Sequence, residues 1–327
     1  MKLVTFEQGA GEPRLGFLRE DTVLDLRAAA ERALGEAPAW TAGMLDLLRS
    51  GEAVRGEVQR LAAEPGDRLL ALDQVSLLAP LPRPESIRDA MSFERHVVQA
   101  TRVAGLGKMA RLDAALERRV GMRRSLAGRL NREFYVRPPH YRSNERSVVG
   151  PEAEVRIPSY SKKFDYELEW GVFIGKQGRD IPAERAPEHI AGYTIFNDFS
   201  ARDIQLEEMR NRLGPAKGKN FDTGNAMGPC LVTPEELGDP YDLTMTARVN
   251  GEEWSRGNTG EAYWRFEQLI AYISQSETLY PGDFIGSGTC SGEQGAGCGL
   301  EQGRFLNAGD VVELEVEGIG VLRNQVV

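Results

Sequence analysis

The chain has 327 residues, enough for two unequal domains at roughly 100–200 residues each. Its 40 basic and 49 acidic residues leave a formal charge of −9, which excludes a general nucleic-acid binder, because phosphate neutralisation needs a basic surface. A hydrophobic fraction of 41% with 36 Gly and 17 Pro is globular and loop-rich, and no apolar run reaches the about 18 residues of a membrane span.

Residues 2–6 read as a strand, entered at once and without a signal peptide's apolar block. Segments 15–18 and 22–26 flank a polar turn and predict a hairpin, and the spacing over 28–34 and 41–48 predicts helices. Pro80, Pro82 and Pro84 then interrupt every pattern, since proline lacks a donor and restricts the residue before it. A boundary there divides a small N-terminal module, 1–80, from the remainder, 81–327. Helix formers fill 93–104, and Arg and Leu dominate 108–130 apart from Gly121 and Gly128. That basic stretch reads as a solvated helical face. Beyond it, short strands are expected at 147–149, 154–157, 166–174, 192–197, 243–249, 284–286 and 310–316, with turns at Asn250-Gly251 and Pro281-Gly282. Many short strands and few long helices predict an α+β, β-rich core, closed or sandwiched.

With three histidines and three cysteines, and no CxxC pair, neither a disulfide framework nor a zinc site is expected, and a reducing cytoplasm is the expected compartment. Any metal must be held mostly by carboxylates, which favours Mg²⁺, Mn²⁺ or Ca²⁺. Glu167 and Glu169 stand two apart on a strand that continues as apolar Val172-Phe173-Ile174, so both point to one side. If that side is interior they repel, unless a cation lies between them. On an exposed edge the same pair would be plain surface. Asp198 lies where a strand meets a helix over 201–212, a position for a metal ligand, although helix capping would also account for Asp198 or Ser200. Arg202 and Gln205, three apart on that helix, share a face and are candidates to reach a substrate carboxylate. The segment 214–223 has lysines and glycines but not the spacing of a phosphate-cradling loop, leaving Lys219 as a point charge. The glycines of 286–292 bring backbone amides close to a ligand without forming a nucleophile elbow, and no histidine follows Cys290 to activate it.

Taken in order, these clusters resemble the fumarylacetoacetate hydrolase family. The likeness rests on Glu167-Leu168-Glu169, on 197–205, on 218–223, on Leu279-Tyr280-Pro281-Gly282-Asp283 running into Gly286-Ser287-Gly288-Thr289, and on 309–312 with Gly318, Gly320 and Asn324. It covers roughly residues 84–327. The resemblance implies a mixed β-roll or β-sandwich catalytic core behind a small N-terminal α/β module; the helical insertion at about 97–132, between His96 and Tyr141, is longer than the family pattern leads one to expect and departs from it. It implies a divalent cation, Mg²⁺ first, held by Glu167, Glu169 and Asp198, with Asp89 as fourth ligand. His96 matches the general base, and Glu301 the carboxylate that orients it. Tyr141, Arg202, Gln205, Lys219 and Thr289 fall where the family lines its substrate pocket. The smaller acylpyruvase-type members carry His-x-x-Glu on a mobile lid, whereas here Gln99 stands three residues after His96. The implied activity is hydrolysis of a C–C bond in an acylpyruvate or other β-diketo acid, with water activated by His96. An isomerase, decarboxylase or dehydratase of a 2-oxo acid is the alternative, and a non-catalytic pathway protein the third. The implied partner is a small 2-oxo or diketo acid, with no nucleic acid and no membrane, in a cytoplasmic homodimer.

Overall fold

The computed structural model describes residues 1–9, 11–63, 69–211 and 214–327. Two sheets carry the fold. In the longer one the strands run in the order Leu69–Ala71, Thr22–Asp25, Arg14–Arg19, Lys2–Glu7, Asn225–Val232, Ile190–Asp198, Glu169–Ile174, Asp283–Gly286, Ser86–Ala90 and His140–Ser143. Neighbours on this path pair antiparallel except Asp283–Gly286 with Ser86–Ala90. The shorter sheet runs Glu252–Asn258, Thr244–Val249, Val311–Val316, Gly320–Val326 and Glu154–Val155. Among the described residues both sheets stay open, so the sandwiched form holds and the closed one does not.

Alternation explains the packing. Along Glu169–Ile174 every residue is buried, as expected where both faces of a strand are covered. Trp170, Val172 and Ile174 enter the core between the sheets, with Met245, Leu314 and Leu322 opposite. There Trp170 stacks on Tyr193 at 5.2 Å and meets Phe266 edge-on at 4.9 Å. Phe173 points the other way, with Phe196, Phe284 and Ile87, into a second core under the N-terminal segment. Each buried Phe contributes about 1.5–3 kcal/mol over its exposed state.

The N-terminal strands join the long sheet and do not form one of their own. Lys2 pairs with Val232 and Leu3 with Leu231, so the N-terminal hairpin extends the long sheet. The strand Asn225–Val232 is absent from the sequence expectations because Pro229 interrupts it. The ladder to Ile190–Asp198 passes over that residue by a register shift between Tyr193 and Ile195. The helix expected over 201–212 is Arg202–Arg210, and Arg212 lies outside the described residues. Among the described residues no helix is long and apolar enough to cross a membrane.

The helical insertion is broken, not continuous. Glu94–Thr101 widens into π-type turns at Arg102–Leu106, and Ala110–Val120 stops at Gly121, whose φ of 84° ends the helix. Asp113 holds these pieces together. Fully buried, it accepts from Arg102 Nε at 2.7 Å and from the Leu126 backbone N–H at 2.5 Å, fixing the start of Leu126–Leu130. Asp113→Ala leaves Arg102 with Glu117 as its remaining carboxylate partner, so the loss should fall below the about 3–5 kcal/mol of a buried charge left wholly unpaired. Denaturant unfolding should show that drop, and an unchanged midpoint would mean that the insertion stands without this ion pair.

Candidate active site

On the sheet face that carries Ile87, Phe173, Phe196 and Phe284, alternation leads at one end to Asp89, Glu169, Asp198 and Gly286. The pairs Glu169↔Phe196, Gly171↔Gly286 and Gly286↔Asp89 set these strand ends side by side. Gly286 is the spacer, since a Cβ there would stand 2.4 Å from an Asp89 oxygen. Gly288, at φ 73°, aims its N–H at both Asp89 (3.2 Å) and Glu169 (3.1 Å). Any side chain at Gly288 would also strike the Ala90 carbonyl, 2.2 Å from the Cβ position.

Glu167 precedes the regular strand and is fixed by one bridge to Cys298 and by its N–H to Asn197 Oδ1 at 3.0 Å. Oxygens of Asp89, Glu167 and Glu169 lie within 4.8 Å of one another, all buried. Lys219 Nζ joins Asp198 to this group, donating to Glu167 at 2.5 Å and to Asp198 at 2.6 Å. Tyr141, paired across from Asp89, donates its hydroxyl to Asp198. Asp198 is the last residue of its strand, and the helix Arg202–Arg210 has no side-chain cap, so capping does not account for Asp198 or Ser200.

Burial, then the charge of Asp198, pushes Asp89 well above the usual carboxylate range. Burial, then Asp89, does the same to Glu169. Burial also acts on Glu167, but Arg202 and Lys219 outweigh it and hold that carboxyl below its ordinary range. Against burial, Asp198 and Glu167 hold the Lys219 ammonium charged. Glu169 Oε1 and Asp198 Oδ1 are buried without a hydrogen-bond partner among the described residues. Unpaired, mutually repelling oxygens of this kind are the donors that Mg²⁺, Mn²⁺ or Ca²⁺ takes. The residues present therefore fit a hard divalent cation.

His96 lies buried in the helix Glu94–Thr101, with Nδ1 2.7 Å from Glu301 Oε1. Ser291 donates to both Glu301 oxygens, at 2.7 and 2.9 Å, and the Gly297 N–H to one of them at 3.0 Å. Glu301 is thus fixed before it orients the imidazole.

The pocket candidates divide. Lys219 and Tyr141 join the carboxylates directly. Arg202 is committed to Asp165 at 2.7 Å and Glu167 at 2.8 Å, and it donates to Gln205 at 3.0 Å. Among the described residues its Nη2 has no hydrogen-bond partner. Gln205 is thereby tied to Arg202, and Thr289 is buried in the glycine-rich loop. Asp165, given no role from sequence, both neutralises Arg202 and accepts the Gly299 and Leu300 N–H groups at 2.8 and 2.9 Å. Its spacing of two from Glu167 was the available signal.

A family model described as fumarylacetoacetate (FAA) hydrolase C-terminal matches residues 117–327. A Xenopus laevis protein named oxaloacetate tautomerase fahd2, mitochondrial, is 32% identical over 330 residues, covering 100% of this chain and 90% of that one. The human protein named oxaloacetate tautomerase FAHD2A, mitochondrial, is 44% identical over 181 residues, which are 55% of this chain and 56% of that protein. Among solved structures, a fumarylacetoacetate hydrolase from psychrophilic Exiguobacterium antarcticum is 27% identical with a TM-score of 0.72, covering 100% of this chain and 99% of its own.

Proposed function

The chain belongs to the fumarylacetoacetate hydrolase family, and from that premise we propose that it interconverts the keto and enol forms of a small 2-oxo acid, oxaloacetate or a close analogue. The observation that carries this reading is the juxtaposition of the His96–Glu301 pair with the buried carboxylates, the pair lying within 4.8 Å of the Cys298 sulfur and Cys298 being bridged to Glu167. Asp89, Glu167, Glu169 and Asp198 would hold a divalent cation, which when bound polarises a 2-oxo carbonyl and offsets negative charge on its oxygen. With Nδ1–H given to Glu301, His96 keeps its lone pair on Nε2. That nitrogen takes the proton from C3 of the keto form, the resulting enolate oxygen takes a proton from the imidazolium or from water to give the enol, and the reverse direction retraces both transfers. Glu301 fixes the tautomer and balances the imidazolium that forms. Lys219 and Arg202 supply the positive charge that a developing oxyanion needs. The names of the Xenopus and human relatives support tautomerisation over hydrolysis.

A second reading, hydrolysis of a C–C bond in an acylpyruvate, is favoured by the same dyad, because a positioned imidazole with a carboxylate behind it also activates water. Product analysis separates the two. Tautomerisation changes the enol absorbance of oxaloacetate with mass conserved, hydrolysis yields two acids, and decarboxylation releases CO₂. Activity should vanish with a chelator and return with Mg²⁺ or Mn²⁺, as all-oxygen donors dictate. Full turnover by protein shown to be metal-free would overturn both readings.

A further inference from the structure

A second cluster of donors lies beside the first and has a different chemistry. Donor atoms of His96, Cys298 and Glu301 lie within 4.8 Å of one another. We propose that these three side chains form a separate site for a thiophilic divalent cation, Zn²⁺ in the first instance, and that its occupation takes His96 out of catalysis.

The donor set is the first argument. Oxygen-only sites suit hard cations, whereas one thiolate, one imidazole and one carboxylate suit zinc, with a fourth position left open. Distances are the second. Zinc bonds of about 2.0–2.3 Å place tetrahedral donors about 3.3–3.7 Å apart, so donors within 4.8 Å of one another need to close by no more than about 1.5 Å, while the His96 Nδ1–Glu301 pair, at 2.7 Å, opens to admit the ion. The thiol itself is the third. Cys230 donates to the Ile319 carbonyl at 3.5 Å and Cys290 to the Asn258 carbonyl at 3.8 Å. Cys298 is fully buried, is not in a disulfide, and has its sulfur within 4.8 Å of donor atoms of His96 and Glu301.

Charge decides the form of the thiol. On binding, Zn²⁺ takes the proton's place, the proton leaves to solvent, and no electron moves. One thiolate and one carboxylate then balance the ion. Arg202 is also close to the sulfur, but Asp165 and Glu167 offset its charge. The expectation from the missing CxxC pair, that no zinc site exists, considered only ligands adjacent in sequence. Here they are assembled from a helix in the first half of the chain and from the short helix Gly299–Gln302 with the residue before it, near the chain's end.

The inhibitory part rests on His96 acting as the base, so the test reads the site by two routes. With Mg²⁺ in excess to fill the carboxylate site, Co²⁺ is added in place of Zn²⁺. Wild type should develop the near-ultraviolet band of a thiolate-to-cobalt bond, and Cys298→Ser and Cys298→Ala should lack it while keeping Mg²⁺-supported turnover. Absence of the band in wild type, or its persistence in both variants, overturns the site. Zn²⁺ should also inhibit the Mg²⁺-loaded enzyme, with the half-inhibitory concentration at least about tenfold higher in Cys298→Ser, since loss of even an outer partner costs that much. Equal Zn²⁺ inhibition in wild type and variant places the ion at the carboxylates and overturns inhibition through Cys298. A Cys298-dependent band with unaffected turnover upholds the site and removes His96 as the base.

Discussion

Glu169→Gln is expected to abolish the response of the protein to Mg²⁺ and its turnover, while leaving the metal-free protein at least as stable as wild type. The sign follows from the neighbours. Glu169 is buried against Asp89, Glu167 and Asp198, each of which disfavours its charge. Without a cation the neutral amide removes a repulsion, and it can still accept from the Gly288 N–H. With a cation, the variant loses a ligand. A ligand present at 100 times its Kd stabilises by about 2.7 kcal/mol, and that increment should disappear from thermal melts recorded with and without Mg²⁺. Calorimetry checks the same point directly. Unchanged Mg²⁺ affinity would put the cation elsewhere.

His96→Ala should lower kcat by about 10²–10⁴-fold, the usual effect of removing a positioned general base. Mg²⁺ affinity should stay near wild type, because the carboxylate oxygens are untouched. Glu301→Gln should lower the same parameter less, since the imidazole remains but loses the carboxylate that Ser291 and Gly297 hold in place. If His96→Ala cleaves a simple acylpyruvate at the wild-type rate, hydrolysis by this dyad is wrong. A reading that needs only the cation and Lys219 then takes its place.

Short-range pattern carried much of the fold. Strands such as Thr244–Val249 and Val311–Val316 lie within a residue of the spans expected from alternating or apolar runs. Elements whose stability comes from distant partners were less legible. The strand Asn225–Val232 contains Pro229 and is held from both sides by Lys2–Glu7 and Ile190–Asp198. The helical insertion showed its composition but not its breaks, which Gly121 and the buried Asp113 set.

The sequence by itself determined that Glu167 and Glu169 share a direction, because they stand two apart beside an apolar run and pleating turns that spacing into a shared side, but it left open whether that side was interior. It also determined, through the family motifs, that Asp89, His96, Asp198, Lys219 and Glu301 were residues to follow. Only the tertiary structure decided what each one meets. Arg202 turned inward to Asp165 and Glu167, because a buried guanidinium must find carboxylates, and among the described residues its Nη2 has no hydrogen-bond partner. Cys298 came to lie beside His96 although about 200 residues of chain separate them, and no local rule of spacing encodes such a contact.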